Sequence, residues 1–358
     1  MQKCDKNEII MNDMNAVIYK GPGDYTLEKV PVPFISDKEV LLKIDAVGLC
    51  GSDLRTLKFG HRKVTPPYIL GHEISGTIRA AGALVDPQWA VGMRVALAPV
   101  VYCGNCHFCQ RGQFELCQHY REIGQSWSGG FADYLNIPQD ALQHGVIHPI
   151  PASMDAVHAT LAEPLAACLH AIDLVDLRNV YTAAIFGSGA IGCLLLQLLR
   201  NQGLRSIIII DPNESRLRIA EHFRPDHSIN ANSEKAVEKI CSLTGGLGVD
   251  LIFTATAAPV VQQQALDSIS KGGQIVVFAG LPKGQSVIPF DLNKVHYDCI
   301  RLIGSSIYAP HHHEEALRLI AEQKIDVKRI ITTFPLAKFH EGVQAAISGE
   351  IVKAVFIP

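Results

Sequence analysis

Residues 183–186 are wholly apolar and run directly into Gly187, Ser188, Gly189, Ala190, Ile191 and Gly192, after which an apolar helical stretch continues to near Gly203. A G-x-G-x-x-G run set between a buried strand and a helix leaves few folds open. Gly187 allows the tight turn, Gly189 lets backbone approach a pyrophosphate, and Gly192 lets the helix pack close on the strand, while the helix N-terminus offers N–H groups to the anion. The next strand, 206–210, ends at Asp211, 19 residues beyond Gly192. A carboxylate there can hold ribose hydroxyls and repel a 2′-phosphate, so NAD is expected over NADP. Arg216 lies within reach of the adenosine end and acts against that preference. The competing reading leaves the glycines as a turn and Asp211 as a cap.

The surrounding texture supports an α/β unit. From about residue 156, helical stretches alternate with wholly apolar strands at 183–186, 207–210, 251–253 and 275–278, the pattern of a parallel sheet buried on both faces. Residues 15–151 read differently, as short apolar segments broken by Gly and Pro at 16–19, 39–47, 75–80, 94–98 and 131–137, a β-rich and barrel-like pattern. Past about residue 298 come a strand at 302–305, a helix around 314–322 and a terminal helix and strand, which periodicity alone does not place. A chain of 358 residues has room for two cores.

Four cysteines, Cys103, Cys106, Cys109 and Cys117, form C-x2-C-x2-C-x7-C in a loop-like stretch containing Gly104 and Gly112. Four thiolates so close can converge on one tetrahedral ion. Zinc fits best, as a structural ion with its coordination sphere filled. Two disulfides and an iron–sulfur cluster are the alternatives. A second group is dispersed: Cys50 in Gly48-Leu49-Cys50-Gly51-Ser52-Asp53, His72 and Glu73 after Gly71, and Glu163 before Pro164. Singly, each has an ordinary structural reading, as a buried thiol, a core imidazole or half of an ion pair. Together, a Cys, a His and a Glu around zinc leave a fourth position for water or substrate.

These motifs, with Gly129-Gly130-Phe131-Ala132-Asp133-Tyr134, stand in an order that resembles the zinc-dependent medium-chain alcohol and polyol dehydrogenases, the branch of sorbitol, galactitol-phosphate and threonine dehydrogenases, over nearly the whole chain from Met14. The resemblance implies a GroES-like β-barrel catalytic domain over residues 14–157 and 299–358, a doubly wound Rossmann domain over 158–298, and an active site in the cleft between them. Residues 1–13 are expected to be a loose tail. It implies two zinc ions per chain and NAD, with Cys50 and His72 as catalytic-zinc ligands and Glu163 as the third. Glu73 becomes a second carboxylate that ligates directly or through water, Ser52 the hydroxyl that receives the substrate proton, and Asp53 the support of His72. A homodimer or homotetramer is expected on the same ground.

Two positions depart from the family pattern. Arg55 stands where many relatives have a histidine, and a guanidinium cannot end a proton relay. Tyr308-Ala309 stands where sorbitol dehydrogenases carry an Arg-Tyr pair, which argues against sorbitol itself. Arg55, Lys58, His61, Arg62 and Lys63 form either a solvated loop or an anion-attracting rim suited to a phosphorylated polyol. His311, His312 and His313 read as an exposed loop before a helix, Trp127 as core or pocket wall, and Cys168, Cys193, Cys241 and Cys299 as buried thiols.

The expected function is hydride transfer between a secondary alcohol of a polyol or sugar-derived substrate and NAD. A threonine-type amino-alcohol dehydrogenase and a dinucleotide-binding regulator without catalysis are the alternatives. A net charge of −3, with no long block of like charge, argues against nucleic acid. The N-terminus lacks a secretory pattern and no apolar run approaches ~20 residues, so a cytoplasmic protein that does not cross a membrane is expected.

Overall fold

The structure is a computed structural model in which residues 13–358 are described. The expected tail therefore lies outside the described residues except at Asp13, which opens the first strand, Asp13–Gly21. Two compact units divide the described residues: one takes 13–163, 332–347 and 354–358, the other 164–331 and 348–353. Among the described residues no helix is long and apolar enough to cross a membrane.

The second unit is built on a six-stranded parallel sheet in the order His227–Asn230, Ser206–Asp211, Thr182–Phe186, Val249–Thr254, Ile269–Val277, Arg301–Gly304. In sequence order this is 3-2-1-4-5-6, the doubly wound arrangement whose strand order reverses beside the first strand. The centre of the sheet consists of apolar residues, with Ala183, Ala184, Ile185, Ile207 and Ile209 at zero exposure or close to it. Ala190–Asn201 follows the first strand and is buried from Gly192 to Leu199, as a helix pressed onto a sheet must be. The strand His227–Asn230 escapes the sequence pattern because it is short and polar, with only Ile229 fully buried.

The first unit carries a seven-stranded sheet whose centre is Val40–Gly48. That strand pairs antiparallel with Glu73–Ala81, with Tyr134–Ile137 and with the C-terminal strand Lys353–Ile357. The last part of the chain thus divides. Arg301–Gly304 completes the parallel sheet, while the final strand returns to the first unit with Val355 opposite Gly48. One register matters most for chemistry: Gly48 faces Glu73 across the antiparallel pair. Cys50, two residues past the end of one strand, and His72, just before the start of the other, are thereby brought to the same edge.

Candidate active site

Cys50 is the N-cap of the helix Gly51–Phe59. Asp53, in the first turn, accepts the Cys50 N–H at 3.0 Å through Oδ2, and its Oδ1 lies 3.5 Å from His72 Nδ1. One carboxylate therefore fixes both the thiol-bearing backbone and the imidazole. Glu73 is fully buried, and a Cβ on Gly48 would collide with Glu73 Oε2. Gly48 is glycine because the carboxylate occupies that space. Cys50 Sγ, a ring nitrogen of His72 and a carboxylate oxygen of Glu73 all lie within 4.8 Å of one another. Burial alone would lower the His72 pKa, but Asp53 and Cys50 outweigh it and raise it well above the usual imidazole range. A donor set this rich in negative charge suits a divalent cation.

Glu163 is in the first turn of the helix Ala162–Asp173 and is not part of this mutually close group. Ser52 is half-buried in the first turn after Cys50, and its carbonyl accepts the Thr56 hydroxyl at 2.9 Å. The sequence reading missed Glu122, at the end of the short strand Arg121–Glu122. Burial raises its pKa, the Asp53 charge adds to that, and His72 and Lys63 oppose it. The field of His72 thus reaches a further, half-buried carboxyl group, for which no motif gave a signal.

The four cysteines form a closed knot. Cys117 and Cys103 sulfurs are 3.5 Å apart, while Cys103 to Cys109 and Cys106 to Cys117 are each 4.0 Å. A disulfide would require about 2.05 Å. Tetrahedral zinc with bonds of ~2.3 Å demands sulfur separations of about 3.8 Å, which the observed values bracket. Gly104 and Gly112 take positive φ, 71° and 73°, and supply the turns that fold the loop round its sulfurs. Backbone groups of Cys109 and Gln118 lower the Cys106 thiol toward its thiolate form.

In the second unit the glycines act as the spacing requires. Gly187 has φ 109° and no room beside Ala255 O, and a Cβ on Gly192 would overlap Gly187 O. Gly189 caps the helix Ala190–Asn201 without a side-chain bond, and a Cβ there would meet nothing within 4 Å. That open space lies at the N-terminus of the helix, whose first N–H groups favour an anion. Asp211 accepts the Ser188 N–H at 2.7 Å and the Asn213 N–H at 2.8 Å, one on each oxygen. Each oxygen keeps accepting capacity for a hydroxyl. Arg216 lies in the next helix, Glu214–Ala220, with its N–H on Asn213 Oδ1 at 3.1 Å.

Residues 36–151 match the alcohol dehydrogenase GroES-like domain, and residues 190–322 match the zinc-binding dehydrogenase family. The chain belongs to the zinc-dependent medium-chain alcohol and polyol dehydrogenases. It is 32% identical to a sorbitol dehydrogenase of Bacillus subtilis (strain 168) over 98% of both chains. Identity to a D-arabitol-phosphate dehydrogenase of Enterococcus avium is 30%, over 96% of this chain and 97% of that one. A structure described as a zinc-binding dehydrogenase from Sinorhizobium meliloti 1021 bound to NADP superposes with a TM-score of 0.88 at 30% identity, covering 97% of this chain and 99% of that one. The family is one of oxidoreductases, with the GroES-like and Rossmann folds expected from the motifs.

Other expectations need correction. His311, His312 and His313 are no loop: they lie in the first turn of Pro310–Ala321, with His312 and His313 buried. Cys299 is exposed and Cys241 partly so, whereas Cys168 and Cys193 are buried as expected. Trp127 is half-buried under the Arg121 guanidinium at 4.3 Å and lines a surface pocket with Met14 and Tyr68.

Proposed function

We propose that this dehydrogenase oxidises the secondary alcohol of a polyol or sugar-derived substrate with NAD, using zinc held by Cys50, His72 and Glu73. The observation that carries the reading is the mutual approach of those three donors, enforced by the Gly48–Glu73 register. We assign Glu163 to the same centre as its second carboxylate, exchanging the order in which the motifs alone rank the two. Cys103, Cys106, Cys109 and Cys117 hold a separate structural zinc.

Zinc held by Cys50, His72 and Glu73 would supply Lewis acidity for removal of the alcohol proton, and NAD held at the glycine turn would supply a hydride acceptor. The chain's own residues do the rest. Asp53 keeps the His72 ring oriented so that its other nitrogen can ligate. Ser52 receives the proton from the substrate hydroxyl. Gly187, Ser188, Gly189, Ala190, Ile191 and Gly192 cradle the pyrophosphate with backbone, and Asp211 holds the adenosine ribose. Asp211 favours NAD, because a 2′-phosphate would meet its charge; Arg216 works in the opposite direction. A panel of polyols, polyol phosphates and threonine, read by NADH formation, tests the substrate class; turnover of threonine alone would overturn it.

A cluster of cations favours phosphorylated members of that class. Burial lowers the His61 pKa, and the charges of Lys63, Arg62 and Arg55 add to the shift. Lys63 also acts on Glu122, which in turn feels His72. The basic run begins five residues past Cys50 in sequence, and there it would attract an anionic substrate.

A further inference from the structure

The helix Ala162–Asp173 ends at Asp173, and the helix Pro310–Ala321 carries His311 and His312 in its first turn. His312 is 5% exposed, and its Nε2 lies 3.0 Å from Asp173 Oδ2. The His311 ring leans on the His312 ring with centroids 4.0 Å apart. One ligand atom from each of Asp173, His311 and His312 falls within 4.8 Å of the other two. None of these residues belongs to the four-cysteine knot or the Cys50 centre.

We propose that Asp173, His311 and His312 form a third metal site, for a borderline divalent cation of the zinc class, pinning the end of one helix to the start of the other. Two imidazoles and a carboxylate are a zinc-type donor set that leaves an open position. Ligand atoms about 2.0 to 2.1 Å from a metal sit roughly 3.3 to 3.4 Å from each other in tetrahedral geometry, so the 3.0 Å His312–Asp173 separation must open by only a few tenths of an ångström to admit an ion.

The surroundings of His312 are arranged for both states. Its Nδ1 accepts the Ala309 N–H at 3.0 Å, which leaves the proton on Nε2, donated to Asp173. The Ala309 carbonyl is 3.1 Å from the same Nδ1. When Nε2 binds a cation, the ring proton can sit on Nδ1 and donate to that carbonyl, the outer hydrogen bond that ligating histidines usually make. The buried ring is thus oriented by backbone, with Nε2 aimed at Asp173. Asp173 and His311 are on the surface, which gives an ion access.

The test uses the full-length holoenzyme equilibrated with micromolar free zinc, dialysed and analysed for metal, beside Asp173→Ala, His311→Ala and Glu314→Gln. Wild type and Glu314→Gln should each carry one zinc per chain more than Asp173→Ala and His311→Ala. Added zinc should raise the thermal midpoint of the first pair and not of the second. All four should keep the same specific activity, since none of the three positions serves the Cys50 centre. The comparison is a difference between variants, so it stands whatever the content of the other two sites. Equal zinc in wild type and the Asp173 and His311 variants would overturn the site. So would an equal loss in Glu314→Gln, which would reduce the binding to diffuse attraction by surface charge.

Discussion

Gly48 is where a single methyl group would decide whether the metal centre assembles. A Cβ there meets the Glu73 carboxylate, so Gly48→Ala must push Glu73 away from Cys50 and His72. The expected outcome is loss of zinc from the Cys50 centre with retention of the four-cysteine ion, read as a fall of one zinc per chain in elemental analysis. Asp53 touches both the Cys50 backbone and His72, and its loss should act through them. Asp53→Asn should cost about 10–100-fold in zinc affinity or kcat/KM, the usual effect of removing a ligand's outer hydrogen bond. Asp211 makes its own prediction. Asp211→Ala should narrow the ratio of kcat/KM for NAD over NADP by about tenfold, equivalent to ~1.4 kcal/mol. A wild-type enzyme more efficient with NADP would show that Arg216 outweighs it.

Among the elements, those legible in the sequence were the ones whose chemistry is local. The glycine turn, the strand before it and the helix after it lie within about twenty residues, and Gly187 and Gly192 have the steric reasons their positions suggest, while Gly189 leaves open space. The four-cysteine loop is local too, and its sulfur spacing follows from two turns at Gly104 and Gly112. Cys106→Ser should lower the thermal midpoint by about 5 °C or more, since a unit of this size moves about 2–4 °C per kcal/mol. Activity lost in proportion to unfolding, with the Cys50 zinc retained in the folded fraction, separates that role from a catalytic one. Less legible was the start of Pro310–Ala321. A run of histidines has no apolar period, and the signal that was present, Pro310 at the first helical position, is easily read as the end of a loop. Cys299, at φ 53°, is exposed by a backbone turn that composition does not reveal. Glu122 needed the pairing of Val100 with Glu122 to bring it near His72, a contact across strands with no sequence signature.

For the whole molecule, long-range pairing supplies what the sequence could not. The last strand returns to Gly48 from the far end of the chain, and no pattern within residues 353–357 names that partner. The order of motifs indicated the family, and the register of Val40–Gly48 against Glu73–Ala81 gives the physical reason why the motif residues meet. The basic cluster carries a prediction at this scale. Exposed charges are screened over ~10 Å at 0.1 M salt, so kcat/KM for a phosphorylated polyol should fall as ionic strength rises, while that for its neutral parent should not. Arg62→Gln with Lys63→Gln should reproduce the loss at low salt; equal response of the two substrates would make the cluster an ordinary solvated surface. The central claim is zinc-assisted oxidation of a polyol at Cys50, His72 and Glu73, and the most direct measurement is NADH formation from a polyol panel before chelation, after it, and after return of zinc. The account predicts turnover that disappears with the metal, comes back with zinc in the wild type, and does not come back in His72→Ala or Glu73→Gln. Undiminished turnover in the metal-free protein, or full recovery in those variants, would contradict it.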